Sequence, residues 1–97
     1  MYAVMKERSF DELRYCANTL TTQGYDYCIL LSLDEQGWCY VAASKEKEVK
    51  PLVAGLNTAF GGKGGGKGGY AQGKLPPVAE AELIDKVTLL LKENFTK

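Results

Sequence analysis

Glycine and lysine are concentrated in one short stretch, residues 61–69, which contains seven glycines and two lysines. Such a stretch has few side chains to place in a core, so it must act through its backbone and through the charges of Lys63 and Lys67. Successive glycine amides can form a concave anion site, and nearby lysines attract a phosphodiester backbone. The stretch therefore predicts a loop that faces phosphate groups, with nucleic acid as the expected ligand.

The residues after the glycines extend the same candidate site. Tyr70 can either stack on a base or ribose or pack as an anchor of the loop, and Gln72 offers both a hydrogen-bond donor and an acceptor. Lys74 adds a third positive charge, and no acidic residue lies between positions 61 and 77. The predicted nucleic-acid-binding residues are Gly61, Gly62, Lys63, Gly64, Gly65, Gly66, Lys67, Tyr70, Gln72 and Lys74.

Three other interpretations of the glycines fit less well. A P-loop follows a strand and ends in Ser or Thr, whereas this segment follows a predicted helix and has Gly68 at that position. A Gly-x-Gly-x-x-Gly match at Gly64, Gly66 and Gly69 lacks the preceding strand and the ribose-binding acid of a dinucleotide site. A flexible linker is disfavoured because the run lacks serine and the flanking helices belong to one small domain.

The composition limits the chemistry that the chain can perform. The formal net charge is zero, which argues against nucleic-acid binding by overall charge and favours a local basic patch. Histidine is absent, and this removes the commonest general base and zinc ligand. We therefore expect no catalytic residue, no metal and no cofactor in this chain.

The cysteines and the apolar runs indicate the setting. The three cysteines, Cys16, Cys28 and Cys39, are widely spaced and odd in number, so each is expected to be a buried structural thiol in a reducing compartment. We find neither a secretion signal nor an apolar run long enough to span a membrane. The expected location is the cytoplasm.

Hydrophobic periodicity predicts one domain, residues 1–97, of the α/β (α+β) class, with a small mixed sheet of three to four strands. A capping box at Ser9 and Glu12 starts the first helix, and the apolar run at 25–33 is typical of a central strand buried on both faces. The predicted order is strand 2–5, helix from 9, strands 25–33 and 38–44, helix 49–60, glycine-rich loop 61–74 and a helix with an apolar stripe at 83–91.

Two points of this architecture stay open. A short edge strand fits around residues 70–75. The first two strands are either side by side and parallel, or separated by the third strand, which then pairs antiparallel to both.

The glycine stretch followed by Tyr70, Ala71, Gln72 and Gly73 resembles the signature of the DHH-associated domain. This module stands at the C-terminus of alanyl-tRNA synthetases, of many alanyl-tRNA editing proteins and of DHH-type phosphoesterases. The phosphoesterase branch typically has a histidine after its glycines, where this chain has Lys67, so the chain is more similar to the synthetase and editing branch.

The resemblance implies an accessory domain that binds tRNA, or another nucleic acid, through a single-stranded end or the phosphate backbone. The editing chemistry would lie elsewhere, because a chain without histidine cannot form the family's zinc site. A separately expressed C-terminal domain, or a stand-alone relic of one, is expected. The alternatives are an oligomerisation module that uses part of the 83–91 stripe, and the substrate-binding domain of a DHH-type phosphoesterase.

Overall fold

The computed structural model describes residues 2–45, 48–67 and 69–95, and for Lys67, Asn94 and Phe95 it describes the backbone alone. These residues form a five-stranded mixed sheet with helices packed on it. The sheet order is β1-β2-β3-β5-β4, and only β1 and β2 are parallel to each other. The elements in chain order are β1 (Tyr2–Lys6), α1 (Phe10–Thr22), β2 (Tyr27–Asp34), β3 (Gly37–Ser44), α2 (Lys50–Phe60), β4 (Lys63–Lys67), β5 (Tyr70–Leu75) and α3 (Glu80–Phe95).

The predicted fold class is confirmed, with a difference in the number and order of strands. The sheet has five strands instead of three or four. The sequence left two arrangements of the first two strands open, and the structure has the one in which β1 and β2 are parallel neighbours. β2 is buried on both faces as expected, but β3 occupies the centre of the sheet, since β5 and β4 continue it on the far side.

The segment predicted as a glycine-rich loop, residues 61–74, instead forms most of a β-hairpin. β5 coincides with the strand allowed at 70–75, but it lies between β3 and β4, and β4 is the edge strand. Gly68 lies outside the described residues. Glycine carries no side chain with which to show strand periodicity and has low strand propensity, so the β4 strand depends on its pairing with β5.

One face of the sheet is covered by α1. The predicted capping box is present, since the Glu12 amide donates to Ser9 Oγ at 3.2 Å and the Ser9 amide donates to Glu12 Oε1 at 3.1 Å. Leu13 and Ala17 of α1 are fully buried against side chains of β2 and β3. The strand residues of this cluster are Cys28, Leu30, Cys39, Val41 and Ala43.

The opposite face is covered by α2 and α3. Most of the α3 stripe is buried within the chain, with Leu83 and Val87 at 0% exposure and Leu90 and Leu91 at 7%, while Ile84 is partly exposed. The oligomerisation alternative, which needs part of this stripe for a partner, stays a prediction. Trp38 holds the segment that leads into α3, because its Nε1 donates to the Val78 carbonyl at 3.0 Å.

The three cysteines are unpaired, and Cys28 and Cys39 are buried as predicted, whereas Cys16 is only partly buried. Burial raises the pKa of the Cys28 and Cys39 thiols, which keeps them protonated at neutral pH. Within the described ranges, no helix is both long and apolar enough to cross a membrane.

Candidate nucleic-acid interface

The β4–β5 pairing places most of the predicted site residues on one face of the sheet. Lys63 lies opposite Lys74, Gly65 lies opposite Gln72, and position 67 lies opposite Tyr70. Residues directly opposite each other on antiparallel strands share a face. β5 pairs in turn with the residues of β3 that face α1, so all these positions lie on the α1 side of the sheet.

This part of the sheet extends beyond the helix that covers its neighbours. α1 packs over β2 and β3, and the α1-side surface of β4 and β5 continues past it. We call this surface the hairpin face. Its described residues are Lys63, Gly65, Tyr70, Gln72 and Lys74. Both lysines and Gly65 are exposed. The Lys67 side chain lies outside the described part of the chain, so its predicted contact is not placed.

Tyr70 packs partly within the chain, which is one of the two roles that the sequence left open. Its ring is partly buried against the cluster under α1, near the ion pair of Arg14 and Asp11. Its hydroxyl donates to Gln72 Oε1 at 2.7 Å, and burial raises the pKa of the phenol. Because its oxygen is engaged, Gln72 has its amide nitrogen left to donate to a ligand.

The family assignment rests on the match of the DHHA1 domain model to residues 1–93. The chain belongs to the DHHA1 domain family. Its fold is also that of the C-Ala domain from Aquifex aeolicus alanyl-tRNA synthetase, with a TM-score of 0.76 over 93% of this chain and 87% of that one. The two sequences are 22% identical, so this likeness concerns the fold. No protein with a curated description matches the chain in sequence.

On the opposite side of the hairpin, this DHHA1 domain holds β4 against α2 through two residues that the sequence did not single out. Tyr40 Oη donates to Asn57 Oδ1 at 3.0 Å, and Asn57 Nδ2 donates to the Gly64 carbonyl at 3.3 Å. A Cβ on Gly64 or Gly73 would lie 2.5 or 2.4 Å from Tyr40 Oη. The only sequence signal was an asparagine in the last turn of a helix that precedes the glycines.

Among the described residues, the amides of Gly61, Gly62 and Gly64 to Gly66 do not form the predicted concave site. The amides of Gly61 and Gly62 both donate to the Asn57 carbonyl, because Gly61 closes α2 in a left-handed conformation with φ of 70°. In β4 the amides of Gly64, Gly65 and Gly66 belong to an extended strand, in which successive amides point in opposite directions. Lys63 and Lys74 are exposed as the prediction requires, whereas these glycine amides are arranged differently from the prediction.

A shallow cavity of about 380 Å³ lies at the base of the hairpin and brings four predicted residues together, namely Gly61, Gly62, Lys63 and Lys74. Gly73, Leu75 and Pro76 complete its lining. No acidic residue borders this cavity among the residues that the structure describes. Among the same residues, no group of three or more histidine, cysteine or carboxylate side chains is placed to hold a metal ion.

Proposed function

We propose that this DHHA1 domain is a non-catalytic accessory domain that binds tRNA, and that the hairpin face is its contact surface. The observation that carries the proposal is the pairing of Lys63 directly opposite Lys74 on an open part of the sheet. Like charges opposite each other on paired strands are destabilising. An anionic ligand relieves this repulsion, and the ion pairs of the described residues involve neither lysine, although Asp34 lies near Lys74 beside Cys39.

The choice of tRNA among polyanions rests on two further supports. The solved structure with the same fold is a domain of an alanyl-tRNA synthetase. The glycine stretch with Ala71 and Gln72 resembles the synthetase and editing branch of the family, and we place the chain in that branch. The absence of histidine supports a role in presenting RNA to a catalytic domain elsewhere. The unpaired cysteines agree with the cytoplasmic setting that we propose.

A salt titration of tRNA binding tests this function. In the double variant Lys63→Ala/Lys74→Ala, two phosphate contacts are lost, so the slope of log affinity against log salt should become shallower by roughly one to two units. The measurement is fluorescence anisotropy of a labelled tRNA transcript at several salt concentrations. Adding Lys67→Ala to the double variant extends the test to the third predicted lysine.

The matched control is Lys50→Ala/Lys92→Ala, which removes the same charge from exposed positions on α2 and α3, in the opposite layer. This control should lower the slope much less than the hairpin variant. If the hairpin variant keeps the slope of the unchanged chain, or if both pairs lower it equally, the hairpin face is not the contact surface.

A further inference from the structure

Gly65 differs from the other described glycines between positions 61 and 73. At each of the other positions the folded chain itself favours glycine, because the backbone is left-handed or because an atom lies within 3 Å of the position that a Cβ would occupy. These are Gly61, Gly62, Gly64, Gly66, Gly69 and Gly73. A Cβ on Gly65 would meet nothing within 4 Å, and its φ is not in the left-handed region. The folded chain itself therefore does not require glycine at this position.

The position of Gly65 in the hairpin suggests that a ligand, rather than the fold, requires glycine there. It is the middle residue of β4, it lies opposite Gln72, and Lys63 and Lys74 lie on the same face two residues along the strands. Glycine within a strand weakens the strand and often marks a site where a ligand approaches the backbone closely. Bare backbone thus lies at the centre of a surface on which two positive charges oppose each other.

We propose that the sugar–phosphate backbone of the bound RNA crosses the hairpin face directly over Gly65, in contact with its Cα and peptide plane. This inference rests on the function proposed above and adds the path of the ligand. The nucleic-acid backbone is favoured over a stacked base because the Tyr70 ring is committed to packing under α1 and its hydroxyl to Gln72. The groups left on the face are lysine ammonium groups and the Gln72 amide nitrogen, which are donors suited to phosphate oxygens.

The path over Gly65 predicts that a side chain there blocks RNA without harming the fold. Gly65→Val should keep or raise the melting temperature, because its side chain enters open space and valine favours strands. It should weaken tRNA affinity about tenfold or more, as overpacking a close contact does, and Gly65→Ala should weaken it less. The salt slope should not change, since no charge is removed.

The control variant is Ala54→Val, which adds the same bulk at an exposed position of α2 on the other side of the sheet. It should bind tRNA as the unchanged chain does. A second tRNA of unrelated sequence should compete equally for the unchanged chain, because phosphate contacts carry no sequence information. A strong preference between the two tRNAs would overturn the assignment of the ligand's backbone to this face.

The two proposals fail in distinguishable ways. If the unchanged chain does not bind tRNA, both fall. If it binds tRNA with a slope that depends on Lys63 and Lys74, but Gly65→Val and Gly65→Ala bind equally well, the path over Gly65 is overturned and the proposed function stands. A lower melting temperature or a shallower slope for both Gly65 variants also overturns it, because the substitution would then act through the fold or the lysines.

Discussion

Gly64 and Gly73 on one side of the hairpin and Gly65 on the other show that glycines of one run serve different purposes. A Cβ on Gly73 would lie 2.4 Å from Tyr40 Oη and 2.5 Å from the Lys63 carbonyl oxygen, and the second of these atoms belongs to the backbone. Close packing of the two strands on Tyr40 therefore requires glycine. At Gly65 the same substitution meets only open space.

We expect Gly73→Ala to lower the free energy of unfolding by roughly 1–3 kcal/mol, because the added methyl forces the strands apart. Gly65→Ala is the matched control and should be neutral or slightly stabilising. Urea denaturation followed by circular dichroism measures both. In a Tyr40→Phe background the cost of Gly73→Ala should shrink, since one of the three atoms within 3 Å of the added methyl is gone. Equal losses for the two glycine variants would contradict this account.

Among the elements, the β4–β5 hairpin packs on α2 through Ala71 and Leu75, and the Asn57 side chain adds a hydrogen bond from the helix to β4. This residue accepts from Tyr40 Oη and donates to the Gly64 carbonyl, while its own carbonyl accepts the two amides that end the helix. The side chain and the backbone of one residue thus fix where the helix stops and where the strand begins.

Asn57→Ala should cost about 1 kcal/mol for the hydrogen bonds it removes, and the loss should be local. We expect faster hydrogen exchange at the amides of β4 and β5, with unchanged protection in β1 and β2, which β3 separates from the hairpin. Thr58→Ala, at an exposed position of the same helix, is the control. Uniformly faster exchange across the whole sheet would show that Asn57 supports the global fold and not the hairpin.

Elements with side-chain periodicity could be predicted from the sequence, and the hairpin could not. The capping box at Ser9, the apolar run of β2 and the stripe of α3 each encode their structure locally. Gly64, Gly65 and Gly66 encode nothing of this kind, since their extended conformation comes from β5 beside them and α2 beneath them. Contacts with other elements of the fold therefore determine the conformation of that segment.

The candidate site was predicted in its residues more than in its geometry. Lys63 and Lys74 were chosen for their charge, but only the register of β4 and β5 places them opposite each other. The amides of Gly61 and Gly62 were expected to bind phosphate, whereas the helix end uses them. The position of Asn57 before the glycines was too weak a signal to single it out, because a polar residue on a helix is ordinarily a solvated one.

At the scale of the whole molecule, the large hydrophobic side chains exposed among the described residues are Leu89 and three tyrosines, Tyr2, Tyr15 and Tyr25. The sheet is covered by α1 on one side and by α2 and α3 on the other, and the uncovered remainder is the basic hairpin face. Two copies joined face to face at the hairpin would bring lysines together. Leu89, at 47% exposure, is the large aliphatic side chain of α3 that remains open to solvent.

We therefore expect the chain to sediment as a monomer of 10.6 kDa from micromolar to near-millimolar concentration. Sedimentation equilibrium at several loading concentrations measures this, and Leu89→Lys should sediment identically, because a single exposed leucine is too small a patch to hold two copies together. An apparent mass that rises with concentration, and that falls back in Leu89→Lys, would instead support the oligomerisation alternative and place its interface on α3. A mass that rises in both variants would place the interface elsewhere, and the edge strand β4, with its unpaired backbone groups, would then be the surface to test by hydrogen exchange.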